Sequence, residues 1–142
     1  MDIVYIASPL FSEAEQRFNL ELASYLSAHY RVFLPQRDGD LLANLISSGM
    51  KPTDAKKRIF DSDMTAIHDC AVLVAVLDGR VIDEGVSFEL GVAYTLKKPC
   101  VGLQTDPRRL LGNSNNPMID CSLSRVCRTK DQLLTALLSF QT

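Results

Sequence analysis

This sequence has little with which to hold a metal. It carries two histidines and four cysteines. None of Cys70, Cys100, Cys121 and Cys127 forms a C-x-x-C pair, so no zinc site is expected. Phosphate fingerprints are missing too. No G-x-G-x-x-G follows the first expected strand and no G-x-x-x-x-G-K-[ST] occurs, which disfavours a dinucleotide fold and excludes a P-loop. There is no G-x-S-x-G elbow, and Ser8-Pro9 stands where a receiver domain carries acidic residues. His29 and His68 have no evident catalytic partner. A net charge of −2 gives no electrostatic case for nucleic acid or an anionic membrane. No apolar run reaches about 18 residues, so no transmembrane helix is expected. No basic region followed by an apolar stretch opens the chain, so it does not read as a secretory signal. The chemistry is left to carboxylates.

What is present is a regular alternation. The 142 residues suit a single domain, 1–142, with one core. The free thiols suit a reducing, cytoplasmic protein. Asp2 to Ala7 reads as the first strand, and a capping box of Ser12 and Glu15 opens a helix from Ser12 to His29. Its apolar stripe is Leu20, Leu22, Ala23 and Leu26. Arg31 to Leu34 is a second strand, stopped by Pro35. The polar segment Gln36-Arg37-Asp38-Gly39-Asp40 then reads as a turn, either solvated or overhanging a site at the sheet edge. Helices follow at Leu41 to Ser48 and Asp54 to His68, the second burying Ile59, Met64 and Ile67 with Phe60 beside them. Ala71 to Leu77 is a buried strand. After the helix from Asp83 to Leu96 come a strand at Cys100 to Gln104 and one helical turn within Thr105 to Leu111. A loop at Gly112 to Met118, a strand at Leu123 to Arg128 and a helix at Asp131 to Phe140 complete the chain. Strands alternating with helices predict an α/β fold with three α/β/α layers. Its sheet is a doubly wound, parallel, five-stranded one of order 2-1-3-4-5, flavodoxin-like.

The focus is Val81 to Tyr94. Asp83 or Glu84 suits a helix N-terminus. Glu89 does not suit an outer face. Its neighbours at three and four residues are Gly85, Val86, Val92 and Ala93, all small or apolar. Helical side chains lean toward the N-terminus, so the Glu89 carboxylate points over Gly85, where no side chain competes for space. The sheet order brings Ser8 to Phe11 opposite this segment at the switch point, the edge where ligands bind in open α/β sheets. The alternatives for Glu89 are an exposed position or an arginine partner. A semi-buried carboxylate beside a pocket can attack a sugar anomeric carbon and stabilise an oxocarbenium-like transition state. Asp83 is the nearest second acid, and Phe11 can stack on a planar leaving group.

These residues resemble a family. Tyr5-Ile6-Ala7-Ser8-Pro9-Leu10-Phe11, then Asp63, then Asp83 with Phe88-Glu89-Leu90-Gly91, then Asn116-Pro117-Met118 are similar to the motifs of nucleoside 2-deoxyribosyltransferases, in the same order. The resemblance implies exchange of the purine or pyrimidine base of a 2′-deoxynucleoside through a covalent 2-deoxyribosyl-glutamate, with no metal or cofactor. It implies Glu89 as nucleophile, Tyr5 as its orienting partner, and Asp63 and Asp83 as active-site acids. Phe11, Gly85, Asn116 and Met118 would line the substrate, and Gln36 lies near the position of the family's base-reading glutamine. The partners implied are 2′-deoxynucleosides and free bases. The assembly implied is a homo-oligomer, at least a dimer and up to a hexamer, with Asn116 and Met118 completing a neighbouring site. The terminal Phe140-Gln141-Thr142 lacks the C-terminal aromatic of some members. A related branch hydrolyses 2′-deoxynucleoside 5′-monophosphates. Its first loop is Gly- and Arg-rich, whereas Ser8 to Phe11 is apolar and Pro-stiffened, which favours an unphosphorylated 5′-hydroxyl; Ser87 speaks for the phosphate. A non-catalytic nucleoside- or nucleotide-binding module, with Glu89 accepting from a hydroxyl, is the reading from another class.

Overall fold

A computed structural model describes residues 1–108, 112 and 114–141. Its elements run β1 (Ile3–Ala7), α1 (Glu13–Leu26), β2 (Arg31–Phe33), α2 (Pro35–Asp38), α3 (Leu42–Ser47) and α4 (Pro52–Asp69). They continue with β3 (Val72–Val76), α5 (Glu84–Thr95), β4 (Cys100–Leu103), α6 (Pro117–Asp120), β5 (Arg125–Cys127) and α7 (Lys130–Leu138). The five strands form one parallel sheet of order β2-β1-β3-β4-β5, the expected order.

Strand side chains alternate between faces, and here both faces are covered. Val4 and Ile6 of β1 and Val72, Val74 and Val76 of β3 join a core with Leu22 and Leu26 of α1 and Leu133 and Leu137 of α7. Tyr5, Ala7, Leu73 and Ala75 point the other way, to Ile67 of α4 and Val86, Leu90 and Ala93 of α5. Burial on both faces explains why β3 reads as an unbroken apolar run rather than an alternating one. Val86 and Leu90 seal α5 onto the sheet; each such side chain contributes about 1.5–3 kcal/mol on burial.

Local chemistry fixes the ends of α5. Asp83 is its N-cap, with a side-chain oxygen accepting from the Val86 N–H at 3.1 Å. Past the other end Lys97 takes a φ of +62°, the left-handed turn that closes many helices. Pro99 follows and cannot continue the helix. Between β1 and β3 the register pairs Ala7 with Ala75. The chain leaves β1 toward α1 and β3 toward α5, on opposite faces, so a crevice opens at the ends of these two strands.

The structure departs from expectation in several places. Pro35 does not merely stop β2. It occupies the first turn of α2, so Gln36, Arg37 and Asp38 are helical rather than a polar turn. Asp38 holds that start, accepting from the Leu34 N–H at 2.8 Å. On α1, Leu20 is 48% exposed and Asn19 is buried instead. Asn19 is tolerated inside because its amide donates to the Pro9 carbonyl at 2.9 Å and to Gln36 at 2.8 Å. Phe60 stands on the surface, in a tilted contact with Phe88. Residues 105–108 are irregular rather than helical, because Asp78 accepts from the backbone N–H groups of Thr105 and Asp106. The rest of that expected turn lies outside the described residues. Pro117 and Met118 open α6 instead of ending a loop. No helix of the described residues is long and apolar enough to cross a membrane.

Candidate active site

Tyr5 and Glu89 meet where β1 lies under α5. Tyr5 points down from the sheet and is fully buried, its ring stacked on Phe33 with centroids 5.5 Å apart. Its hydroxyl donates to the Glu89 carboxylate in a short hydrogen bond between the two side chains. The phenol pKa is driven upward, first by burial and then by the negative charge of Glu89, so Tyr5 stays a donor.

Glu89 is the most perturbed carboxyl of this site. Its pKa is raised from an ordinary 4.5 to about 8. Burial is the main cause, because loss of water penalises the charged form. Asp63 and Asp83 add to the rise by repulsion, while the Tyr5 hydrogen bond works against it. Asp63, on α4, is itself raised to about 6 by burial. Three carboxyl groups from two helices and a helix cap therefore share one small region, and near neutrality Glu89 holds a proton that an exposed carboxylate would release. Interacting carboxyls whose surroundings push their pKa values apart are typical of proton-handling sites.

Gly85 is where the expected space is found. A Cβ built there would stand 3.1 Å from the Asp83 Oδ2 and 3.8 Å from the Glu89 Oε1. The two carboxyl groups thus converge over the glycine. They open into a cavity of about 300 Å³ lined by Ser8, Leu10, Phe11, Pro35, Asp40, Leu41, Leu42, Lys56, Ile59, Asp83, Gly85 and Glu89. Its walls are mostly apolar, with a few polar groups among them, which is the usual make-up of a small-molecule site. Phe11 is 78% exposed, a planar ring at the mouth.

Not every expected residue arrives there. Tyr5, Asp63, Asp83, Gly85 and Glu89 are brought together, with Phe11 on the rim. Gln36 is not in the lining. Its amide is engaged elsewhere, donating to the Gln16 carbonyl at 3.0 Å and accepting from Asn19, so it ties α2 to α1. Asn116 and Met118 line a separate cavity of about 340 Å³ with Arg80, Ile82, Ser87 and Gln104. Asn116 caps α6, accepting from the Met118 N–H at 2.9 Å, and the Met118 side chain is 80% exposed. The sequence reading missed Leu41, Leu42, Lys56 and Ile59 as lining residues. The available signal was position: Leu41 and Leu42 follow β2 and α2, and Lys56 and Ile59 precede Asp63 by seven and four residues on α4. Among the described residues no group of three or more His, Cys, Asp or Glu side chains is arranged to hold a metal ion.

Comparison with known proteins places the chain in a family. The family model described as nucleoside 2-deoxyribosyltransferase matches residues 4–131. Among solved structures, a conserved protein from Enterococcus faecalis V583 is 29% identical, with a TM-score of 0.76 over 95% of this chain and 96% of that one. The 2-deoxyribosyltransferase from Bacillus psychrosaccharolyticus is 23% identical, with a TM-score of 0.74 over 92% and 89%. The CMP N-glycosidase of Clostridium botulinum is 16% identical, with a TM-score of 0.57 over 97% and 98%. The last two identities speak for the fold alone. No curated protein matches the sequence.

Proposed function

The chain belongs to the nucleoside 2-deoxyribosyltransferase family, and on that premise we propose that it exchanges the base of 2′-deoxynucleosides through a covalent glutamyl ester. The observation that carries the reading is the Tyr5–Glu89 pair, set beside Asp83 over the bare Cα of Gly85. Tyr5 occupies one Glu89 oxygen and leaves the other to face the cavity.

The step balances within these residues. A Glu89 oxygen forms a bond to C1′ of the sugar. The C1′–N bond breaks, and its electron pair leaves on the base. The base also needs a proton, and Glu89, which burial keeps protonated near neutrality with a pKa of about 8, gives one up as it ionises to attack. Asp83 hydrogen-bonds the departing base and passes it that proton. Positive charge developing at C1′ favours the ionised form of Glu89 at the moment of attack. An acceptor base then attacks C1′ on the ester, frees Glu89 and returns a proton to the cluster. Two displacements on the same carbon retain its configuration. Asp63 and Asn116 bind polar groups of the nucleoside; Phe11 and Met118 supply apolar surface.

The separation of Asn116 and Met118 from Glu89 within one chain supports a shared site. So does α5. It is apolar nearly all round, yet Phe88 and Tyr94 are 53% and 54% exposed. An apolar helix normally has both faces covered. A second copy that covers α5 and brings in Asn116 meets both needs.

The test is incubation with a 2′-deoxynucleoside and a different free base. Transfer yields a new nucleoside, and mass spectrometry without the acceptor base finds a deoxyribosyl adduct on the chain that Glu89→Ala lacks. Release of free base and 2-deoxyribose 5-phosphate from a 5′-monophosphate, with no new nucleoside, would make the protein a nucleotide N-glycosidase instead. No product and no adduct would leave a binding module.

A further inference from the structure

The cavity that Glu89 lines has a further carboxylate on its wall. Asp40 lines it together with the apolar Phe11, Pro35, Leu41 and Ile59. We propose that Asp40 reads the base, accepting a hydrogen bond from an N–H donor on the ring edge. The assignment rests on the transfer reading, which puts the sugar at Glu89 and so leaves the base to the rest of the cavity, whose wall includes Asp40.

Three observations carry it. First, Asp40 is oriented but only half engaged. The Arg58 Nε donates to its Oδ2 at 2.9 Å, and its other oxygen accepts no hydrogen bond among the described residues. The side chain keeps 38% of its surface exposed. Second, the residue named by resemblance for this task is committed elsewhere, because both ends of the Gln36 amide are bonded to α1. Third, the backbone is held close at this point. A Cβ on the preceding Gly39 would lie 2.9 Å from the Pro35 carbonyl oxygen and 3.6 Å from the Asp63 Oδ1. The segment carrying Asp40 is thus pressed down over α2 and the Asp63 side of the carboxyl cluster, while Arg58, on α4 with Asp63, grips it from below.

A carboxylate only accepts hydrogen bonds. Asp40 therefore selects bases that present an amino or imide N–H there and discriminates against ring analogues without one. A site built to receive a donor rejects a substrate lacking it, since its own polar group is then left unpaired. Asp40 is partly exposed, so the discrimination is that of a single hydrogen bond to a charged group, about 10–100-fold in kcat/KM.

The experiment uses the full chain, one 2′-deoxynucleoside donor and paired acceptor bases. Adenine and hypoxanthine are set against unsubstituted purine, and cytosine against pyrimidin-2-one. Wild type should favour the donor-bearing base in the ring class it uses. Asp40→Asn retains the acceptor for Arg58 and the shape of the side chain. It should bring the ratio to within about threefold of unity, by slowing the donor-bearing base and not the analogue, with an unchanged melting temperature. Asp40→Ala should bring the ratio to the same value. Wild-type turnover with a ratio that neither substitution alters would overturn the Asp40 assignment alone. Absence of wild-type turnover on every base would overturn the transfer reading and this assignment with it.

Discussion

Replacing Glu89 by Gln removes a titratable proton and leaves the shape of the side chain and an acceptor for the Tyr5 hydroxyl. Its effect on stability follows from the site. In the native protein the Glu89 pKa is raised from 4.5 to about 8, chiefly by burial. The native state thus keeps a proton that the unfolded chain releases. Where the native state binds more protons, stability falls as pH rises. The contribution of Glu89 is complete below about pH 4.5, declines between there and about pH 8, and is level beyond. Each pH unit in that window is worth about 1.4 kcal/mol, so the wild type at pH 7 has lost about 3 kcal/mol that the Gln variant never loses. For a domain of this size that is about 6–12 °C in melting temperature. Circular dichroism melts of both proteins at half-unit steps from pH 4.5 to 8.5 measure it. The curves should converge at the acid end and separate above it, with the inactive variant the more stable. Parallel curves across the whole range would mean that Glu89 ionises like an exposed carboxylate, and the burial on which the catalytic reading depends would be refuted.

Two further outcomes test the site and its assembly. Gly85→Val should reduce turnover by at least about 100-fold, the scale of a misplaced reacting group, because its first carbon alone would stand 3.1 Å from the Asp83 carboxyl. The melting temperature should change little, since Gly85 is exposed; equal losses in activity and stability would assign Gly85 to packing. Glu89→Ala and Asn116→Ala chains, each inactive alone, should recover about a quarter of wild-type activity when refolded together as dimers, because half the dimers are mixed and each mixed dimer has one intact site. No recovery, with mixed oligomers confirmed by native mass spectrometry, would mean that each site is built from one chain.

How much of this was legible beforehand depended on whether a feature was local. The order of the sheet was legible because β3 is an unbroken apolar run and β1 and β4 are close to it, and alternation with helices leaves few ways to connect parallel strands. The inward aim of Glu89 was legible because it needs only the neighbours one turn away on the same helix. The burial of Asn19 was not. It depends on Gln36, seventeen residues on, and on the Pro9 carbonyl, neither of which helical periodicity contains. Exposed Leu20 is the converse, an apolar residue beside a stripe that Leu22, Ala23 and Leu26 already complete.

At Pro35 and Pro117 the information is local, and the structure gives it the opposite sign. Pro35, Pro52 and Pro117 all sit in the first turn of a helix. In the sequence Pro35 suggests a strand stop and Pro117 part of a loop, yet both open helices. Proline's fixed φ suits a helix start, and its missing N–H is one the first turn could not have bonded in any case. Read that way, Pro35 turns the chain sharply after β2 and Pro117 turns it after the Asn116 cap. The first turn ends in the Gly39-Asp40 corner that borders the cavity. The second lifts Met118 to the surface, away from its own chain's Glu89. Pro35 and Pro117 therefore set two parts of the proposed site, the reader of the base and the contribution from a neighbouring chain.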